Sequence, residues 1–192
     1  MRRYRCFAEG EWSSGDRLSL DEGEARHLAR VLRAEPGQEI DLLNGAGRTG
    51  IAKILQIESN SSVQVKVIDV LTQEAPKCCL HIGCAPVKSS IWEDAFEQAI
   101  ELGMNEFTPI ISDHSVVSWD EKKKTKKIER LHKLARERLK QCEQPFLPAI
   151  NQPMLLKEFV TNTLEVNKSI WAMRERSEKS SQLPVEQDIV IL

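Results

Sequence analysis

Residues 73–77, QEAPK, divide the chain into two stretches whose hydrophobic periods differ, and no single repeating pattern fits both. Ahead of them apolar side chains alternate with polar ones, the period of half-buried strands. Behind them short apolar runs alternate with segments of helical spacing, the pattern of βαβ units. Pro76 removes a backbone donor within polar neighbours, so neither pattern can run through the break. The expectation is two domains, residues 1–73 and residues 77–192, and a chain of 192 residues with 41% hydrophobic content can bury a core in each.

In the first stretch RRYRCF reads as a short strand. Asp21 and Glu24 form a capping-box pattern at the start of a helix over GEARHLARVLRA, which Pro36-Gly37 should end. QEIDLLNG, RTGIAKILQIE and SSVQVKVIDVLT read as three further strands, separated by the turn signals GAG and SNS. Four or five strands with one helix predict a compact β-barrel. Gly45 and Gly47 lie between strands rather than opening a helix, so they predict a turn and not a phosphate cradle.

The second stretch reads as strand CCLHIGCA, helix SSIWEDAFEQAIELG and strand EFTPIIS, with Gly103 at the helix C-cap. Trp92, Ala95, Phe96, Ala99 and Leu102 share one helical face and are expected in the core. Ser118 and Glu121 suggest a second capping box, ahead of a basic helix whose apolar stripe is Ile128, Leu131, Ala135 and Cys142. LPAI, a helix near MLLKEFV, SIWAM and DIVIL continue the alternation, which predicts an open parallel sheet. Ile189, Val190, Ile191 and Leu192 form an unbroken apolar run, the pattern of a strand covered on both faces.

The formal net charge of −2 is unevenly placed. Residues 122–140 hold ten Lys or Arg against Glu129 and Glu137, a net +8 that leaves the remainder at −10. Positive charge at a helix N-terminus opposes the macrodipole, so the lysine run points to an anionic partner, with a solvated helix start as the alternative. Arg26, Arg30 and Arg33 recur at helical spacing, an arrangement that favours phosphate contact. His27 reads either as a packing histidine or as part of that face, His81 as a satisfied core residue, and Glu93 as the partner of Ser90 in a capping box. The five cysteines include no C-x-x-C and are expected as free thiols, with no metal site. No run of about 18 apolar residues is present to span a bilayer. The first residues have no apolar core of a secretory signal, and the expected location is the cytoplasm.

HLARVLRAEPGQEIDLLNGAGR, APVKSSIWEDAFEQAIELGMNEFTPIISDHSVV and LKQCEQPFLPAI occur in an order and spacing that resembles the RsmE-type ribosomal RNA uridine N3-methyltransferases. The resemblance implies an α/β fold: an N-terminal PUA-like β-barrel that grips RNA, followed by a SPOUT domain, a knotted Rossmann-like sheet. It implies methyl transfer from S-adenosylmethionine to N3 of a uridine in small-subunit ribosomal RNA, with ribosomal RNA or the small subunit as partner, a homodimer, and no metal. On the matching positions it implies RNA contacts at Arg3, His27, Arg33 and Lys88. Arg26, Arg30, Lys123, Lys124, Lys126 and Lys127 join them on charge. Glu93, Glu101, Leu102 and Gly103 also match. Ile91, Gln98, His114 and Gln144 stand where relatives carry other, mostly basic, residues.

In that family a strand like DIVIL runs into an IGPEGG loop, and a later LRTETA-like stretch completes the knot, the cofactor pocket and the dimer face. Neither motif occurs in these 192 residues. The expectation is thus an incomplete SPOUT domain, inactive by itself and weak in S-adenosylmethionine binding, with no catalytic residue assigned. A non-catalytic RNA-binding protein is the alternative.

Overall fold

The computed structural model describes residues 3–59, 62–87, 90–112, 119–165, 169–171 and 189–191. Two compact units emerge: Met1–Ala75 together with Leu139–Phe146, and Pro76–Arg138 together with Leu147–Leu192.

The first unit holds strands β1 (Tyr4–Phe7), β2 (Arg17–Ser19), β3 (Glu39–Leu43), β4 (Arg48–Ser59) and β5 (Ser62–Thr72), with helix α1 (Glu22–Arg26) between β2 and β3. Their order in the sheet is β1-β3-β4-β5-β2. β1 runs parallel to β3, and the other pairs are antiparallel. Among the described residues β1 and β2 do not pair, so the expected barrel is an open five-stranded sheet. Alternation along the strands sends Ile40, Leu42, Ala52, Ile54, Val63, Val65 and Val67 into one core with Trp12, Ala25 and Leu28. The turn at Gly45–Gly47 is held by Asn44, whose Oδ1 accepts from the N–H groups of Ala46 (2.8 Å) and Arg48 (3.0 Å). Both glycines have positive φ, the conformation this side-chain-mediated turn requires.

The helix of this unit departs from expectation. Asp21 caps it as foreseen, accepting from the Glu24 N–H at 2.8 Å, but the Glu24 side chain does not complete the box. After Arg26 the backbone widens into a π-helical turn over His27–Val31, closed by the bond from Leu32 N–H to His27 O. Arg33, at φ 50°, then turns the chain away. The helix therefore stops short of Pro36, because a residue in the left-handed region cannot continue it.

The second unit is an all-parallel sheet of β6 (Leu80–Cys84), β7 (Glu106–Ile111), β8 (Ala149–Ile150), β10 (Ser169–Trp171) and β11 (Ile189–Ile191), in the order β10-β11-β6-β7-β8. β9 (Met154–Leu155) also pairs with β7, further along the edge on which β8 lies. Asn151 to Pro153 interrupt that edge, and proline supplies no N–H for the ladder. The apolar run read from DIVIL is β11, an interior strand between β10 and β6.

Helices α2 (Ile91–Glu101), α3 (Glu121–Cys142) and α4 (Leu156–Glu165) complete the fold. Phe107 packs on Trp92 and Phe96 from α2, at ring separations of 5.7 and 4.8 Å. On the other face of β7, Ile110 packs with Phe159 of α4. Gly83 makes that approach possible, since a Cβ there would meet Phe159 at 2.8 Å. Two residues assigned to the α2 core face are exposed, Ala95 and Leu102. Leu102 is the C-cap, where the backbone leaves the helix and rotates the side chain off the stripe, and Ile100 and Met104 are buried instead. Ser90 makes no side-chain cap bond, so Glu93 does not close a capping box. α3 is capped by Asp120, which accepts from the Lys123 N–H at 2.8 Å, while Ser118 lies outside the described residues. Among the described residues no helix is long and apolar enough to cross a membrane.

Candidate nucleic-acid interface

In the first unit the basic side chains sit where the helix geometry exposes them. Asp21 fixes the start of α1, Ala25 and, in the turn that follows, Leu28 anchor the inner face at 0% exposure with Glu24 buried beside them, and the basic positions turn outward. Arg26, His27, Arg30 and Arg33 are all exposed, so the structure gathers these four on one solvent-facing segment. His27 is therefore not a packing histidine. Arg26 is ion-paired with Glu22 one turn away. Arg3 stands apart on the sheet edge, held by Asp41 at 2.7 Å and Glu39 at 3.4 Å. The hydrogen bond and charge of Asp41 raise the guanidinium pKa further, so Arg3 is a fixed cation already facing two carboxylates.

In the second unit the basic helix divides into faces. Ile128, Leu131 and Ala135 are buried, as the spacing predicted. Beside them Lys127 and Arg130 face α2, and Arg130 grips Glu93 with two bonds of 2.7 and 2.6 Å. Lys127 reaches the same carboxylate at 3.3 Å. Arg138 pairs with Glu97 and, at 2.7 Å, with Glu101. Glu93, Glu97 and Glu101 recur every four residues, one acidic row along α2 that meets one basic row along α3. The hydrogen bond from Arg130 lowers the Glu93 pKa, aided by Lys127.

At the start of α3, Lys123 pairs with Asp120 at 3.4 Å and Lys124 with Glu121 at 2.7 Å. The backbone N–H of Lys123, followed by its charge, lowers the Asp120 pKa. Of the four lysines singled out by charge, Lys126 is exposed without an ion pair among the described residues, and the other three face carboxylates. Lys88 and His114 lie outside the described residues.

A polar cluster that the sequence did not announce surrounds His81, which is 8% exposed. Its Nε2 lies 2.8 Å from Thr108 Oγ1, and its Nδ1 lies 3.4 Å from Glu106 Oε2. Asn151 donates through Nδ2 to Glu106 Oε1 at 2.8 Å and to Thr108 Oγ1 at 2.9 Å. The Phe159 ring edge closes one side at 5.0 Å. His81 is thus the satisfied core residue expected. The parallel register His81↔Glu106 places these groups together, and only knowledge of that pairing finds them. All five cysteines are free thiols, burial holds the Cys84 thiol pKa up, and no group of metal-ligating side chains occurs among the described residues.

Comparison with known proteins adds a family to this geometry. Residues 73–192 match the family model of an RNA methyltransferase domain, and residues 20–68 match that of an RNA methyltransferase PUA domain. The ribosomal RNA small subunit methyltransferase E of Aquifex aeolicus is 28% identical over 152 residues, covering 79% of this chain and 64% of that protein. The protein of the same name from Bacillus subtilis is 26% identical over 182 residues, covering 93% of this chain and 70% of that protein. The chain spans half the length of a further curated relative, that of Synechocystis. Among solved structures, a Legionella pneumophila protein described as a methyltransferase, in complex with SAM, superposes with a TM-score of 0.85 at 26% identity, over 100% of this chain and 79% of that one. The Neisseria gonorrhoeae methyltransferase E shares the fold, with a TM-score of 0.86 at 16% identity over 99% of this chain and 79% of that one. A family match that runs over residues 73–192, more than half of the chain, means that this chain belongs to the RNA methyltransferase family, and the small-subunit methyltransferases E are among the proteins it is similar to.

Proposed function

We propose that the protein takes part in methylation of N3 of a uridine in small-subunit ribosomal RNA, with S-adenosylmethionine as methyl donor. The observation that carries this reading is the match of residues 73–192 to the RNA methyltransferase domain, laid on an all-parallel sheet with a PUA-matching unit ahead of it. The proposal includes a division of labour at residues 73–77, a homodimeric assembly and a cytoplasmic location. Arg26, His27, Arg30 and Arg33 are the first unit's RNA contacts in this reading, with Arg3 a further one, apart from them on the sheet edge. Lys88, Lys123, Lys124, Lys126 and Lys127 are those of the second.

The reaction class sets the demands on a site. Uracil N3 carries a proton with a pKa well above neutrality, so its removal needs a base or a positive environment that stabilises the developing anion. S-adenosylmethionine, when bound, supplies a sulfonium methyl group, and in-line transfer depends on positioning. In open parallel sheets ligands bind beyond the C-terminal ends of the strands. There the described residues after β6 and β7 are Ala85, Pro86, Val87 and Ser112. These four supply one hydroxyl, and no chemical step is assigned to them.

The test is direct. The protein is incubated with unmethylated small-subunit ribosomal RNA and isotopically labelled methyl donor, and digested nucleosides are analysed by mass spectrometry. Labelled N3-methyluridine is the expected product. RNA binding without any labelled nucleoside would favour the non-catalytic reading instead.

A further inference from the structure

We propose that Tyr4 and Arg33 form a clamp for one unpaired nucleotide of an RNA, the tyrosine ring stacking on its base and the guanidinium meeting an adjoining phosphate. The inference rests on the RNA-methylating function proposed above and adds to it a base contact that charge alone did not single out.

Register decides which side of the sheet Tyr4 occupies. In the parallel pair of β1 and β3, Tyr4 stands beside Ile40 and Arg5 beside Asp41. Neighbouring residues of a strand point to opposite faces, so Tyr4 shares the face of Ile40, which packs in one core with Ala25 and Leu28. Arg5 lies on the other face with Asp41, and Asp41 also holds Arg3. Tyr4 is thus on the side covered by α1 and the turn after it. Among the described residues β1 ends the sheet, and Tyr4 is 37% exposed there while Cys6, next along the same face, is buried. The Tyr4 hydroxyl donates to Leu32 O at 3.5 Å, which places the ring at the residue preceding Arg33.

Arg33 supplies the cation. It is exposed and forms no ion pair among the described residues. Its φ of 50° is one that glycine or asparagine adopts more readily. An arginine kept in that conformation, beside an open aromatic ring, is the kind of backbone outlier that collects at ligand sites. Val31, on the same turn, is 67% exposed and adds a second apolar surface next to the cation. A ring offers a phosphate nothing, but every base has a π-face that can stack on it. An unpaired base is the one with that face free, and its own backbone brings a phosphate within reach of Arg33.

The experiment uses the full chain and a fluorescein-labelled RNA hairpin with a single-stranded loop, with binding followed by fluorescence anisotropy across a potassium chloride series. Stacking releases no counterions, whereas each phosphate contact on a single strand contributes a slope of about 0.7 in log affinity against log salt. Tyr4→Leu should therefore weaken binding about five-fold or more with the salt slope unchanged, and Tyr4→Phe, which keeps the ring, should bind as the wild type does. Arg33→Gln should flatten the slope by about 0.7. Replacing loop nucleotides one at a time with an abasic residue should locate a position whose loss weakens the wild type and leaves Tyr4→Leu unaffected. Circular dichroism melts check folding, and if Tyr4→Leu unfolds the test passes to Tyr4→Trp, whose larger ring should tighten binding. Wild-type affinity in the Leu or Trp variant, or an equal loss in the Leu and Phe variants, would overturn the inference while leaving the RNA reading intact. A wild-type chain that binds no RNA would remove both.

Discussion

Single residues in this chain often serve a partner that their local sequence does not indicate. Glu24 occupies the third position of a capping box, yet its Oε1 accepts from Lys140 Nζ at 2.8 Å, and the two side chains are only 8% and 11% exposed. Lys140 is one of the ten cations of the basic segment, and folding withdraws it from any external anion. Among the described residues Glu24 Oε2 has no hydrogen-bond partner, and Lys140 is the cation that the carboxylate faces. Its charge adds to burial in holding the nearby Cys6 thiol protonated. Breaking a buried pair leaves an uncompensated charge, which costs about 3 to 5 kcal/mol. Lys140→Met should lower stability by that order, read from the urea midpoint. The double variant Glu24→Leu/Lys140→Met should recover most of the loss, since no charge is then stranded.

At the scale of elements, α2 and α3 are joined by charge as well as by the apolar core. Glu93 is the centre of the joint, with Arg130 bidentate and Lys127 beside it. Arg130 and Lys127 are about half exposed, at 57% and 42%, so solvent screening keeps the gain from the joint small. The folded pKa of Glu93 is depressed, so its stabilisation is fully present above the unfolded glutamate value of about 4.3 and is lost as pH falls through the lower folded value. Glu93→Gln should therefore be less stable than the wild type at neutral pH, and the two should converge in acid. Urea melts from pH 7 down to about pH 3 would show the convergence. A constant gap across that range would mean that packing, not charge, was lost. The acidic row was legible as the i, i+4, i+8 spacing of Glu93, Glu97 and Glu101, but which helix it faces was not.

At the scale of the molecule, the boundary between units is not a single cut in sequence. Leu139–Phe146 follows sixty-odd residues of the second unit and yet belongs to the first. Arg5 donates to Lys140 O at 2.7 Å and pairs with Glu143 at 2.7 Å. Phe146 bridges Ala46 and lies so close to Gly47 that a Cβ there would meet its ring at 2.6 Å. Gly47 N–H also donates to Pro145 O at 2.9 Å. A fragment ending at Ala75 therefore lacks part of its own unit. Amide exchange at Ile54 and Val65, at the centre of the sheet, should be faster in that fragment than in the full chain. Equal protection in the two would show that Leu139–Phe146 contributes nothing to the stability of the sheet.

The sequence alone determined what depends on neighbours close along the chain. Period-two alternation placed β3, β4 and β5, apolar runs placed β6, β7 and β11, and the Asp21 cap and the turn at Gly45–Gly47 stood where their local chemistry required. The stretches HLARVLRAEPG and SSIWEDAFEQAIELG also carried the family likeness. Tertiary structure decided whatever depends on side chains meeting from distant positions. It paired Glu24 with Lys140, turned Leu102 outward at a helix end, left the five-stranded sheet open, and joined His81 to Glu106, Thr108 and Asn151. It also sorted ten equivalent-looking cations into those already facing carboxylates and those, such as Lys133, that face solvent. The reason is physical: a charge's value to a ligand depends on which opposite charges the fold has already brought within a few ångströms of it, and that distance is not written along the chain.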